Sequence, residues 1–127
     1  MKIAIIPARG GSKRIKNKNI KIFSNKPIIS YSIKAAIESG LYDEIMVSTD
    51  SEEIASIAKS FGAKVPFIRS EKNSSDYSTT VDVLIEVLDY YRSINFNFNI
   101  ATCIYPCSPL ISSDILNKSV EIINNES

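Results

Sequence analysis

The order of apolar and polar positions divides the chain into short apolar runs and longer periodic stretches. Residues 3–6, Ile-Ala-Ile-Ile, are too few for a helix and β-branched enough for a buried strand. Pro7 has no N–H to give a sheet ladder, so the strand is expected to end there. A polar loop follows up to Asn19, and residues 20–23 make a short apolar return closed by a turn at Ser24, Asn25 and Lys26. Pro27 fits the first turn of a helix, with Ile28, Ile29, Ile33, Ile37 and Leu41 at helical spacing and Gly40 as the stop. Residues 44–48 read as a second buried strand. Asp50 with Glu53 three positions on predicts a capping box, opening a helix that turns Ile54, Ile57, Ala58 and Phe61 inward and ends at Gly62.

Residues 64–68 predict a third strand, placed near an edge because Pro66 interrupts it. The stretch 69–78 is too polar for an element and reads as a loop, and 79–91 as an amphipathic helix through Val83, Leu84, Val87 and Leu88. An Asn-rich surface connection at 95–99 leads to a fourth strand over 100–104. Ser112 or Ser113 then starts a last helix carrying Ile115, Leu116, Val120 and Ile123. Strand and helix thus alternate four times, which predicts an α/β fold: an open, mostly parallel sheet with helices on both faces. In such sheets ligands bind outside the carboxyl ends of the strands. The polar segments 9–19, 48–50, 69–78 and 105–108 each follow a strand, so all four are expected at one rim.

Charge changes the picture at one end of the chain. The 15 Lys and Arg nearly balance the 14 Asp and Glu, yet nine of the cations precede the first acidic residue, Glu38. The remainder carries six cations against 14 acids. Arg9, Lys13, Arg14, Lys16 and Lys18 sit in the loop after the first strand, beside Gly10 and Gly11. Glycine lets a backbone approach a ligand closely, and cations beside exposed N–H groups make a nest for an anion with several oxygens. The loop therefore reads as a polyphosphate site. It is neither GxxxxGK[ST] nor GxGxxG, and no acidic residue stands about twenty positions on to hold a ribose.

Other features narrow the chemistry. A chain of 127 residues is one domain or part of one. No apolar run approaches the ~18 residues of a membrane span and no leader is visible, so a cytoplasmic protein without membrane contact is expected. Cys103 and Cys107 are the only cysteines and read as small buried thiols. There is no histidine, which excludes a Ser-His or Cys-His nucleophile. The basic loop lacks an interleaved aromatic to stack bases, so no nucleic-acid partner is expected.

The motif PARGGSKRIKNKNI, residues 7–20, resembles the signature of the acylneuraminate cytidylyltransferases, which make CMP-activated sialic acids. The matching elements are Pro7-Ala8-Arg9, Gly10-Gly11, Ser12-Lys13 and Lys18-Asn19; VSTD at 47–50, the stretch 69–80 and YPCSPL at 105–110 follow in the family's order. The resemblance covers essentially the whole chain. GGSKRI, KVPFIRS and the tyrosine before Pro106 look most like the branch that acts on pseudaminic acid. The loop of the 3-deoxy-manno-octulosonate enzymes differs in lacking the glycine pair.

The resemblance implies a three-layer α/β/α Rossmann-like fold of the nucleotide-diphospho-sugar transferase type, incomplete at the carboxyl end, with residues 1–127 as the CTP-binding part of one cytidylyltransferase domain. It implies that CTP and a nonulosonic acid give a CMP-sugar and pyrophosphate. Arg9 and Lys18 are the implied catalytic residues. Ala8, Arg9, Gly10, Gly11, Ser12, Lys13, Lys18 and Asn19 are implied around the triphosphate and ribose, with Arg69, Ser78, Thr79 and Thr80 framing the cytosine. Arg14, Lys16 and Lys21 fit contact or solvated surface equally. Tyr105 and Ser108 are implied at the sugar; Tyr105, Cys107 and Ile111 replace the Gln, Thr and Arg of many sialic acid enzymes, which implies a different sugar. Magnesium is the expected cofactor, its main ligands lying beyond residue 127, together with much of the sugar pocket and the contacts of a homodimer. Asp50 is better explained by helix capping than by metal binding, and Asp76 is open between a ligand and a loop residue. The rival reading is a non-catalytic nucleotide-binding module of the same fold.

Overall fold

The structure is a computed structural model and describes residues 1–10, 22–23, 26–74 and 79–105. The elements run β1 (Lys2–Pro7), β2 (Ile22–Phe23), β3 (Lys26–Pro27), α1 (Ile28–Ser39), β4 (Glu44–Ser48), α2 (Glu52–Ser60), α3 (Thr80–Ser93) and β5 (Ile100–Cys103). The predicted last helix from Ser112 or Ser113 lies outside the described residues.

β1 is central. It pairs in parallel with β4 on one side and β5 on the other, with Ile5 opposite Met46 and Cys103, and Pro7 opposite Ser48. Successive side chains of a strand point to opposite faces, and here both faces are covered. Ala4, Ile6 and Ala8 pack with Ile29, Ile33 and Ala36 of α1 and Ile54 and Ala58 of α2. Ile3 and Ile5 pack with Met46, Ala101 and Phe98 and with Val87 and Tyr91 of α3. That is why the run is apolar at every position rather than alternating. The result is three layers, as expected. The chain passes from β1 to β4 on one side and reaches β5 on the other, so strand order reverses at β1. Such a reversal opens a crevice at the carboxyl ends of the strands.

Several boundaries differ from the sequence reading, each for a local reason. The stretch 64–68 is not a strand: it makes one parallel bridge, Lys64 to Met46, along the outer edge of β4. Pro66 has no N–H to continue the ladder. Helix α1 begins one residue late, because Pro27 occupies the position before the helix and pairs with Ile22 in a small antiparallel hairpin of β2 and β3. Ile37 is 46% exposed, and Ser32, Ala35 and Ala36 fill the buried stripe of α1 instead. Phe61, expected inward, lies just past the end of α2 and is exposed. Asp50 does not cap α2; Ser51 does, its Oγ accepting from the Ile54 N–H at 3.3 Å. For α3 the expectation holds to within two residues, and Thr79 and Asp82 form a reciprocal capping box.

Removing buried volume from the doubly covered strand is the most damaging small change. Ile5→Ala is expected to lower unfolding stability by about 2–5 kcal/mol in urea titration. Ile85→Ala, on the outer side of α3 at 51% exposure, is expected to stay within about 0.5 kcal/mol.

Candidate functional site

When parallel strands end, their last carbonyls lose ladder partners, and the rim must supply donors. At β4 the Ser48 carbonyl accepts from two sides: the Ala8 N–H at 2.8 Å and Arg69 Nη2 at 2.6 Å. Arg69 Nε also donates to Ser48 Oγ at 3.0 Å, and its own N–H donates to the Thr49 carbonyl at 2.7 Å. Arg69 is only 6% exposed. Burial pushes its pKa down; the charges of Asp50 and Glu86 pull it up, and Arg9 pushes it down again. An arginine stays charged under such pressure, so a fixed positive charge lies beneath this rim. The segments after β1, after β4 and after the 64–68 stretch therefore meet at one peptide group.

The start of the basic loop is tied to the same turn. The Gly10 N–H donates to Asp50 Oδ1 at 2.8 Å. A Cβ on Gly10 would stand 2.8 Å from Ser51 Cβ, closer than such atoms approach. Glycine is needed here for space, so that the backbone at position 10 can lie against the N-cap of α2. Its N–H, expected to serve a ligand, is engaged by Asp50.

A second junction lies at the end of β5. Tyr105 is exposed, and its hydroxyl and Thr80 Oγ1 share a hydrogen bond of 2.9 Å. Its carbonyl accepts from Ser32 Oγ of α1 at 3.3 Å. One residue is thus held from both helical layers. Thr79 serves the helix: its Oγ1 accepts from the Asp82 N–H at 3.1 Å while its own N–H donates to Asp82 Oδ2 at 3.2 Å. The Thr79 N–H, donated to that carboxylate, is the main cause that holds the Asp82 carboxyl below its usual range.

Of the site residues read from the sequence, Ala8, Arg9, Gly10 and Arg69 gather around the turn after β4, and Thr80 and Tyr105 meet each other. Gly11, Ser12, Lys13, Lys18, Asn19, Ser78 and Ser108 lie outside the described residues, as do Asp76 and Cys107. Sequence reasoning set Ser48 at the rim within the segment 48–50 and missed Ser32, which sits among apolar helix positions and leaves no mark in the sequence. Among the described residues no three metal-ligating side chains converge, so these residues do not by themselves make a magnesium site. No helix among them is long and apolar enough to cross a membrane.

A parallel sheet covered on both faces, with its strand order reversing at β1, places this chain among the open α/β proteins, whose ligands bind in the crevice outside the carboxyl ends of the strands. The chain matches the CMP-2-keto-3-deoxy-manno-octonic acid synthetase solved with CTP at a TM-score of 0.76 and 24% identity, over 92% of this chain and 44% of that one; that likeness concerns the fold. The family described as cytidylyltransferase matches residues 3–127, and the chain belongs to it. It is 44% identical over 126 residues to the pseudaminic acid cytidylyltransferase of Campylobacter jejuni, spanning 98% of this chain and 54% of that protein. It is 38% identical over 120 residues to the CMP-N,N'-diacetyllegionaminic acid synthase of Legionella pneumophila, spanning 94% of this chain and 52% of that protein. The chain thus spans about half the length of these relatives.

Gly10→Ala tests the close approach. The new methyl forces the loop away from Ser51, and a loss of about 1–3 kcal/mol in unfolding stability is expected. A variant as stable as the parent would show that Gly10 and Ser51 do not approach at this distance.

Proposed function

We propose that this chain is the nucleotide-binding part of a cytidylyltransferase that moves CMP from CTP to the anomeric hydroxyl of a nonulosonic acid of the pseudaminic or sialic type. In that reaction the anomeric oxygen attacks the α-phosphorus, its bond to the bridging oxygen breaks, pyrophosphate leaves, and the hydroxyl proton is lost. The observation that carries the reading is the likeness, along nearly the whole chain, to relatives named for making CMP-activated sugars of this kind. The rim supports it independently. Nucleotidyl transfer asks for charge neutralisation and in-line positioning more than for a protein nucleophile. A chain without histidine, with its cations concentrated beside one strand end, has what that requires.

In this reading Arg9, Ser12, Lys13 and Lys18 neutralise the triphosphate and Asn19 meets the ribose or a phosphate. The segment Ser78, Thr79 and Thr80 lies beside the cytosine. Arg69, buried under the rim, acts there by holding Ser48 and Thr49. Tyr105 and Ser108 face the sugar acid. Magnesium accompanies the triphosphate, offsetting its charge, with ligands outside the described residues.

The test uses nucleotide selectivity before turnover. CTP at about one hundred times its dissociation constant is expected to stabilise the chain by about 2.7 kcal/mol, read as a rise in melting temperature. ATP, GTP and UTP at the same concentration are expected to do much less. In a chain as long as the relatives, pyrophosphate release is expected only with CTP and a nonulosonic acid together. CTP binding without release in that longer chain would make the protein a nucleotide-binding module.

A further inference from the structure

Arg9 stands between two backbone amides that are both tied to the turn after β4. The Ala8 N–H, before it, donates to the Ser48 carbonyl at 2.8 Å; the Gly10 N–H, after it, donates to Asp50 Oδ1 at 2.8 Å. The first tie is main chain to main chain and continues the register of β1 with β4. The second depends on a single side chain.

We propose that Asp50 is a positioning residue: by holding the Gly10 amide it fixes the base from which Arg9 leaves the sheet, and so sets how Arg9 meets the triphosphate tail. The inference rests on the nucleotide reading above and says which residue outside the loop prepares it.

Three observations carry it. Asp50 is not needed where the sequence pattern puts it, because Ser51 caps α2. A carboxylate at the edge of a polyanion site repels the ligand, so its presence there asks for a task that offsets the cost; the Gly10 amide is the task the structure shows. The charge is also matched. The Arg69 guanidinium, fixed on Ser48, attracts Asp50, while Glu86 and Arg9 are the other charges bearing on that guanidinium. A carboxylate accepting from an amide makes a charge-assisted bond about twice as strong as a neutral one, which suits a tether in a loop bearing several like charges.

The tether acts on the phosphate end of the ligand, which separates it from a merely structural role. Binding of CTP and of CMP is measured by calorimetry on the full chain, with Asp50→Ala and Asp50→Asn beside the parent. Asp50→Ala is expected to weaken CTP about tenfold and CMP less than about twofold. Asp50→Asn, which keeps the size and one acceptor oxygen, is expected to fall between for CTP and to leave CMP unchanged; it stands as the reading if the alanine variant does not fold. The Gly10 amide is expected to exchange with solvent about tenfold faster in Asp50→Ala, with the β1 amides unchanged. Equal losses for CTP and CMP, no loss for CTP, or unchanged exchange at Gly10 overturns the inference while leaving the nucleotide reading in place. A parent chain that binds neither ligand overturns both.

Discussion

The Ser48 carbonyl is the joint on which this rim depends. It accepts the Ala8 N–H from the strand beside it and a guanidinium from a segment twenty-one residues further on. Without the first bond the chain leaving β1 has no fixed direction; without the second, a buried oxygen keeps only one partner and a buried cation loses its support. Hydrogen bonds to a charged donor contribute about 1.5–3 kcal/mol each. An arginine that is nearly inaccessible to water is therefore best understood through the peptide groups it holds. The side chain that the resemblance sets beside the cytosine is, in the folded chain, a brace for the turn after β4.

From this joint the rest of the site follows in layers. The covered strand β1 sends the chain out over the carboxyl rim, and the reversal of strand order on either side of it leaves space there. On the β4 side the turn 48–51 is secured from three directions, by Ala8, by Arg69 and by the start of α2. On the β5 side, Tyr105 is secured by one residue from each helical layer. The first arrangement orders charge and the second orders a hydroxyl.

How much of this could be read from letters alone depended on whether the deciding contact was local. β1, β4 and α3 were legible because an unbroken apolar run and a reciprocal cap are signals carried within a few residues. The alternation of strands and helices then gave the layered architecture. The cap of α2 was ambiguous for a physical reason: Asp50 and Ser51 are both good caps, and spacing cannot choose between them. The choice is made by the Gly10 amide, forty residues away, which takes the carboxylate. The stretch 64–68 has strand-forming residues but cannot sustain a ladder past Pro66. Arg69 is set beside the cytosine by the resemblance alone, and nothing nearby in sequence reveals that it is buried beneath Thr49 and Ser48.

The meeting of Gly10 with Ser51 also bears on how such chains drift. The conflict there is between two β-carbons, so it does not depend on how large the side chains are: position 10 and position 51 cannot both carry one without the backbones parting. Glycine is itself an acceptable helix cap, costing only a few tenths of a kcal/mol against serine. A lineage that acquires alanine at position 10 thus has one inexpensive route back to the same geometry, a glycine at position 51. What one of the two positions tolerates thus depends on the other, although they belong to different elements.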